Sequence, residues 1–269
     1  MLPDGALQNQ VAIITGGGTG IGKAIALNFA KLGAKIVVAS RKLENLEETV
    51  AAIEAQGGDA LAVATDVRDM AQVQNMVERT KERFGKIDIL INNAAGNFVA
   101  RSEDLSVNAW NAVVGIVLNG TWFCTQTVAK EMIAQGSGGK IVNVIATYVW
   151  TGAPGTVPSA AAKAGVLSMT QSLAVEWSKY KIRVNAIAPG PVVTENTTRQ
   201  LFGGGNLFER IASENPVGRF GEVDEISNAT AYLVSDYAAY INGACLTIDG
   251  GQWLNKGYLQ YYNDLPTKP

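Results

Sequence analysis

The sequence predicts an α/β protein, one domain built on a doubly wound parallel sheet of about seven strands with helices on both faces. Three observations carry that expectation. Short apolar runs rich in Val and Ile alternate with longer segments whose apolar residues recur at helical spacing. The turns between them are short, and glycine closes several of the helical segments. No Pro/Ser-rich linker or composition break divides the 269 residues, of which 47% are hydrophobic.

Val11–Thr15 (VAIIT) reads as the first strand, and Gly16-Gly17-Gly18-Thr19-Gly20-Ile21-Gly22 follows it. Ile21, Ala24, Ile25, Asn28, Phe29 and Leu32 then repeat at helical spacing up to Gly33. Strand, glycine loop and helix is the context that a phosphate-cradling loop needs. Glycines let the backbone approach a pyrophosphate, and the helix start offers free N–H groups and a positive dipole end. Lys35–Ala39 is the second strand, ending in Ser40-Arg41-Lys42. A dinucleotide site that prefers NAD usually has an acid about twenty residues past the glycines, on the ribose 2′-hydroxyl. Here that neighbourhood holds Ala39, Ser40 and two cations, so a 2′-phosphate gripped by Arg41 is favoured and NADP(H) is the expected cofactor. The alternative is that Arg41 and Lys42 are a solvated helix start.

Leu43, Leu46, Val50 and Ile53 mark the next helix, Ala60–Thr65 the third strand, and Asp66-Val67-Arg68 its end. Val73, Met76, Val77 and Phe84 mark another helix, closed by Gly85. Ile87–Ile91, the fourth strand, runs into Asn92-Asn93-Ala94-Ala95-Gly96-Asn97-Phe98. The glycine loop, Asp66–Arg68 and Asn92–Phe98 all fall at carboxyl ends of strands, where ligands bind in such sheets. A long helix is expected over Asn108–Gln135, with Asn119-Gly120 awkward in its middle. A buried polar network, a close backbone contact or a tolerated defect would explain that pair. Ile141–Ala146 is the fifth strand, followed by a helix over Pro158–Tyr180, a strand over Arg183–Ala188 and the turn Pro189-Gly190-Pro191. Thr194 to Pro216 is polar and carries Gly203-Gly204-Gly205, which suits a substrate flap. Glu222–Ser235 reads as a helix and Ala244–Ile248 as the last strand.

Composition narrows the chemistry. The net charge is −2 without a basic run, which argues against nucleic acid or an anionic membrane as partner. The N-terminus lacks a signal-peptide core and no 18-residue apolar run stands out, so a soluble, cytoplasmic protein is expected. Cys124 and Cys245 are far apart in apolar contexts and read as free buried thiols. Without histidine or a cysteine cluster, no metal site is expected. The missing histidine also removes the commonest general acid/base, leaving Tyr, Lys, Asp/Glu, Cys or bound water. The stretch Tyr148–Lys163 (YVWTGAPGTVPSAAAK) stands out on this ground. If Pro158 opens a helix, Ser159 and Lys163 share one of its faces, with Tyr148 in the loop before it.

Taken together, these residues resemble the short-chain dehydrogenase/reductase family over about Val11 to Leu254. The likeness rests on Thr15–Gly22, Asn92-Asn93-Ala94-Ala95-Gly96, Asn119, Lys163 and Pro189-Gly190. It implies a Rossmann-type fold in which Gly16, Gly18, Thr19, Gly20, Ile21 and Gly22 cradle the cofactor beside Ser40, Arg41 and Lys42. Asp66 and Val67 would hold the adenine, and Asn92 and Ala94 would line the cofactor. Lys163 would bond the nicotinamide ribose, and Pro189, Gly190, Val192 and Thr194 would hold the carboxamide end. Many members are tetramers, so a homo-oligomer is expected. Most carry Tyr-x-x-x-Lys, but here Ser159 takes the tyrosine's position. A dead enzyme, a relocated acid and a different reaction all remain open on that point.

The variant is similar to the 2,4-dienoyl-CoA reductase branch. Asn92–Phe98, Val117–Thr121 and the spacing of Tyr148, Ser159 and Lys163 carry this closer resemblance. It implies an acyl-CoA substrate and hydride transfer to C5, with Tyr148 and Asn97 as donors to the dienolate oxygen. Ser159, Lys163 and Asn119 would complete the catalytic group. By the same resemblance, Arg68 and Arg199 are candidates for the CoA phosphates and Phe98 for the acyl or thioester portion. The alternatives are an enoyl- or 3-ketoacyl-thioester reductase of the same family and a non-catalytic NADPH-binding sensor.

Overall fold

A computed structural model describes residues 2–194 and 206–255. Arg199 and Gly203–Gly205, named above for substrate and flap, lie outside the described residues. Seven strands form one parallel sheet: β1 (Val11–Thr15), β2 (Lys35–Ser40), β3 (Ala60–Ala64), β4 (Ile89–Asn92), β5 (Gly139–Val144), β6 (Ile182–Pro189) and β7 (Cys245–Ile248). Their order is β3-β2-β1-β4-β5-β6-β7, so the winding reverses between β1 and β4. At that reversal the helices leave toward opposite faces, opening a crevice past the strand ends.

Both faces of the sheet are covered, which is why its strands read as continuous apolar runs rather than alternating ones. Ala12, Ile14, Ile36, Val38, Ile89 and Ile91 face one core with Ile25 and Phe29 of α1 (Gly20–Lys31), Leu46 of α2 (Leu43–Glu54) and Ile226 of α8 (Val223–Val234). Their neighbours Ile13, Val37, Leu90 and Ile141 face the other core. There they meet Met76 of α3 (Met70–Phe84), Val128 and Met132 of α5 (Gly120–Gln135) and Leu173 of α6 (Val157–Glu176). The strand period of two thus feeds two separate cores.

The helix expected over 108–135 is three pieces: α4 (Val107–Val114), a π-helical turn (Gly115–Asn119) and α5. Gly120 accounts for the awkward Asn-Gly pair, because a Cβ there would lie 2.5 Å from Val67 Cγ2. The close contact is the explanation found, and the π turn ends immediately before Gly120. This run does have the length and mean hydropathy of a membrane span, contrary to the expectation that none stands out. Its apolarity is spent on the core instead, since Cys124, Val128, Ala129 and Met132 are buried against the sheet. Other differences are of boundary only. β4 and β5 lie two residues from their expected starts, and α6 gives way to a 3-10 turn at Ser178–Tyr180. A further helix, α7 (Asn206–Glu214), falls inside the expected flap.

Candidate active site

The glycine loop follows from β1 and is locked by its neighbours. Gly16 and Gly20 have φ of +66° and +52°, a region that favours glycine. A Cβ on Gly22 would lie 2.2 Å from the Gly16 carbonyl oxygen, so the helix start can sit directly on the loop only with glycine there. Thr19 enters α1 in an extended conformation without a side-chain cap, and the first turn holds no acid. Free N–H groups and an unneutralised dipole end therefore face the crevice, which suits an anion. A cavity of about 960 Å³ borders Gly18, Thr19 and Gly20 and reaches Thr194.

Two residues that sequence reasoning passed over hold this loop in place. Asn93 Nδ2 donates to the carbonyls of Thr15 and Gly16, at 3.0 and 3.2 Å. The Thr15 hydroxyl accepts from the backbone N–H of Asn93 and of Ala94, both at 3.0 Å. Ala94 is thereby set against the loop. Asn92 is different. It is buried, and its Nδ2 donates inward to Thr125 Oγ1 (2.7 Å) and Asn143 Oδ1 (2.8 Å). Its side chain braces the centre of the sheet and does not line the cofactor crevice. The doubled asparagine in the sequence was the signal, but not which member does which task.

Arg41 and Lys42 are exposed at the end of β2, and neither forms an ion pair among the described residues. The Ser40 hydroxyl turns to the Lys42 carbonyl at 3.4 Å. Asp66, at the end of β3, is gripped by Arg68, whose Nε and Nη2 both donate to its carboxylate. That bond, with help from Arg41, lowers the Asp66 pKa. Arg68 is therefore not the free rim cation that a CoA phosphate contact calls for, and it serves first to orient Asp66. Val67 is buried beneath, against Gly120. At the other end of the crevice, a Cβ on Gly190 would meet Asp249 Cβ at 2.6 Å, and Gly190 N–H donates to the Ile248 carbonyl. Pro189 ends β6, Val192 bridges to Gly221, and Thr194 lies against Gly20.

The reactive end is built by β5, the loop after it, and α6. Tyr148 sits in a 3-10 turn (Thr147–Val149), outside α6 as its position implied. Its hydroxyl and Ser159 Oγ are 2.8 Å apart and hydrogen-bonded. Burial raises the phenol's pKa, only partly offset by that bond, so it stays protonated at neutral pH. Ser159 is 2% exposed, fixed one helical turn from Lys163 on the same buried face. Pro158 at the helix start makes that register possible. Lys163 Nζ donates to the Val144 carbonyl at the end of β5. Burial lowers its pKa to about 8.

Asn97 is exposed on the loop after β4, and its Oδ1 accepts from Phe98 N–H at 2.9 Å. With the oxygen occupied, the amide N–H₂ is left to donate. This loop is tied to the Tyr148 loop by Ala100 N–H, which donates to the Gly155 carbonyl at 3.0 Å. Two donors, Tyr148 and Asn97, thus stand on two loops that are bonded to each other. Phe98 is 38% exposed. Asn119 is exposed and has no side-chain hydrogen bond among the described residues, so it joins no buried network. Both thiols are free, but only Cys124 is buried as expected, Cys245 being half-buried; burial raises Cys124 to about 12 and Cys245 to about 11.

Known proteins resemble this chain over most of its length. A family described as Enoyl-(Acyl carrier protein) reductase matches residues 16–252. A Bacillus subtilis protein named "Probable 2,4-dienoyl-CoA reductase [(2E)-enoyl-CoA-producing]" is 48% identical over 93% of this chain and 98% of its own. A Caenorhabditis elegans protein named "Probable 2,4-dienoyl-CoA reductase 3 [(3E)-enoyl-CoA-producing]" is 44% identical over 94% of this chain and 83% of its own. A crystal structure of a short chain dehydrogenase from Bacillus anthracis has a TM-score of 0.85 at 51% identity, covering 93% of this chain and 98% of that one. An Agrobacterium tumefaciens structure with bound NADP also scores 0.85, at 35% identity, covering 95% of this chain and 100% of that one. The chain that carries this glycine loop, the Tyr148–Ser159 bond and the buried Lys163 belongs to the short-chain dehydrogenase/reductase family.

Proposed function

We propose that this chain reduces 2,4-dienoyl-CoA thioesters with NADPH, a step in the oxidation of unsaturated fatty acids. The observation that carries the reading is the Tyr148–Ser159 bond beside Lys163, with Asn97 on the adjoining loop. The names of relatives 37–48% identical support it. The cradle of Gly16–Gly22 and the exposed Arg41, which forms no ion pair among the described residues, fit a nicotinamide cofactor with a 2′-phosphate. When bound, that cofactor supplies a hydride. Lys163 would hold its ribose, and Asp66, fixed by Arg68, its adenine.

The residues of the chain then manage the negative charge. Hydride arriving at C5 of the conjugated thioester pushes charge onto the thioester oxygen. With Ser159 as the donor in their shared bond, Tyr148 would have its own proton free for that oxygen, and Asn97 Nδ2 would be the second donor. Each such donor is worth roughly 10²–10³ in rate. The charge needs hydrogen bonds at oxygen, not an acid aimed at a ketone, which is why a serine can stand at position 159. Protonation at Cα by water then yields a 3-enoyl-CoA. Relatives' names divide between (2E) and (3E) products, so product analysis is the direct test. Purified protein, NADPH and a 2,4-dienoyl-CoA should give NADPH oxidation and a 3-enoyl-CoA. A 2-enoyl product would place the proton at Cγ, and faster turnover of a 3-ketoacyl-CoA would replace the reading. We expect a cytoplasmic homo-oligomer, which fractionation and light scattering would check.

A further inference from the structure

Trp150 lies two positions beyond Tyr148, at the end of the same 3-10 turn, and is 40% exposed. Against it rests Trp253, with ring centroids 4.8 Å apart and planes tilted by 33°. The second ring comes from the segment after β7 and is held firmly. The Asp249 carboxylate accepts from Gly251 N–H (2.9 Å) and from Trp253 N–H (2.8 Å). The Asp249 carbonyl accepts from Asn215 Nδ2 at 3.0 Å, and Gly190 is packed on its Cβ. The pair therefore stands on the ends of β5 and β7, on the edge of the sheet that carries Tyr148. Two large rings left partly in water, one of them two positions along the chain from Tyr148, form an apolar surface that nothing in the charge chemistry uses.

We infer that the Trp150–Trp253 pair is the wall that receives the acyl chain beyond C5 and sets which chain lengths are taken. This rests on the acyl-CoA reading above. If the thioester oxygen sits at Tyr148, carbons beyond C5 are the part of the substrate that differs between homologues. They must leave the crevice along an adjoining surface, and a stacked indole pair offers apolar area with little rotamer entropy to lose. Asp249 acts here as a positioning residue for Trp253.

The test compares wild type, Trp253→Ala and Trp253→Phe on 2,4-hexadienoyl-CoA and 2,4-decadienoyl-CoA at saturating NADPH. A parallel calorimetric measurement takes Kd for butanoyl-CoA and decanoyl-CoA with NADP⁺ present, which needs no turnover. Trp253→Ala should lower kcat/KM for the decadienoyl substrate by about tenfold, about 1.4 kcal/mol, mostly through KM. The hexadienoyl substrate should change less than about twofold, and the butanoyl-to-decanoyl Kd ratio should shrink by a similar factor. Trp253→Phe should restore most of the preference. Equal losses at both lengths, or an unchanged Kd ratio, would overturn the inference, since a merely structural Trp253 or a contact with the CoA arm acts on every length alike. If wild type reduces neither dienoyl thioester, the proposed reaction fails, and the calorimetric ratio still decides the wall.

Discussion

Replacing Tyr148 by Phe removes one oxygen and leaves the ring. Two consequences follow from the 2.8 Å bond to Ser159. In catalysis, the dienolate oxygen loses one of its two donors, which predicts a fall in kcat of roughly 10²–10³, or about 2.7–4 kcal/mol of transition-state stabilisation. In stability, Ser159 keeps its 2% exposure but loses its partner, at a cost of about 1–3 kcal/mol. Ser159→Ala behaves differently. It takes away the buried partner and leaves the phenol, whose half-buried hydroxyl can turn to substrate or water. Its kcat should fall by about tenfold or less, with a stability loss of about 1 kcal/mol. The assay is NADPH oxidation in a single turnover with a 2,4-dienoyl-CoA, so that hydride transfer is not masked by product release. Urea unfolding of both variants separates folding from chemistry. Equal large losses, or a larger one for Ser159→Ala, would refute the assignment and make the serine the donor. KM should move little in Tyr148→Phe, because the interaction strengthens only as charge develops.

Arg41→Ala should weaken NADPH by about tenfold or more while leaving NADH nearly unchanged, because only the former brings a phosphate to this cation; titration of both nucleotides checks it, and equal weakening would remove the 2′-phosphate argument. Gly120→Ala should destabilise the fold by about 1–3 kcal/mol, since the new Cβ would press on buried Val67 at 2.5 Å; an unchanged Tm would mean that the π turn can yield. Lys163 gives a pH signature. Its folded pKa is depressed to about 8, so a bound role for the cation predicts that kcat/KM for NADPH falls as pH rises through about 8, while the Tyr148 phenol stays protonated. For stability the sign is opposite. Above about pH 8 the folded chain has released a proton that the unfolded chain holds until near 10.4, so the cost of burying Lys163 declines across that window. The stability gap between wild type and Lys163→Met should therefore narrow from pH 8 to 10, and a widening gap would contradict the burial argument.

Seven strands, most of the helices between them and the cradle Gly16–Gly22 were legible from local pattern, because apolar periodicity and glycine punctuation report nearest-neighbour constraints. The same holds for Tyr148 outside the helix and Ser159 with Lys163 on one face, since a single helical turn fixes that relation. Membership of the family, and with it the expected chemistry, was likewise written in residues adjacent in the chain. What lay beyond the sequence concerns partners far apart along it. Only folding decides that Asn92 braces the sheet while Asn93 clamps the loop, because neighbours at a strand end point to opposite sides. Arg68 read as a rim cation until Asp66 closed on it, and a short charge-assisted pair is a matter of side-chain geometry. Asn119 shows no side-chain hydrogen bond among the described residues, whereas the adjoining Gly120 is required by Val67, a contact between two elements that no local rule foresees. Trp150 and Trp253 meet because β5 and β7 end on one edge of the sheet. Pattern determined which elements exist and what chemistry they can carry; close packing, which brings distant side chains within a few ångströms, decided which residue performs each part.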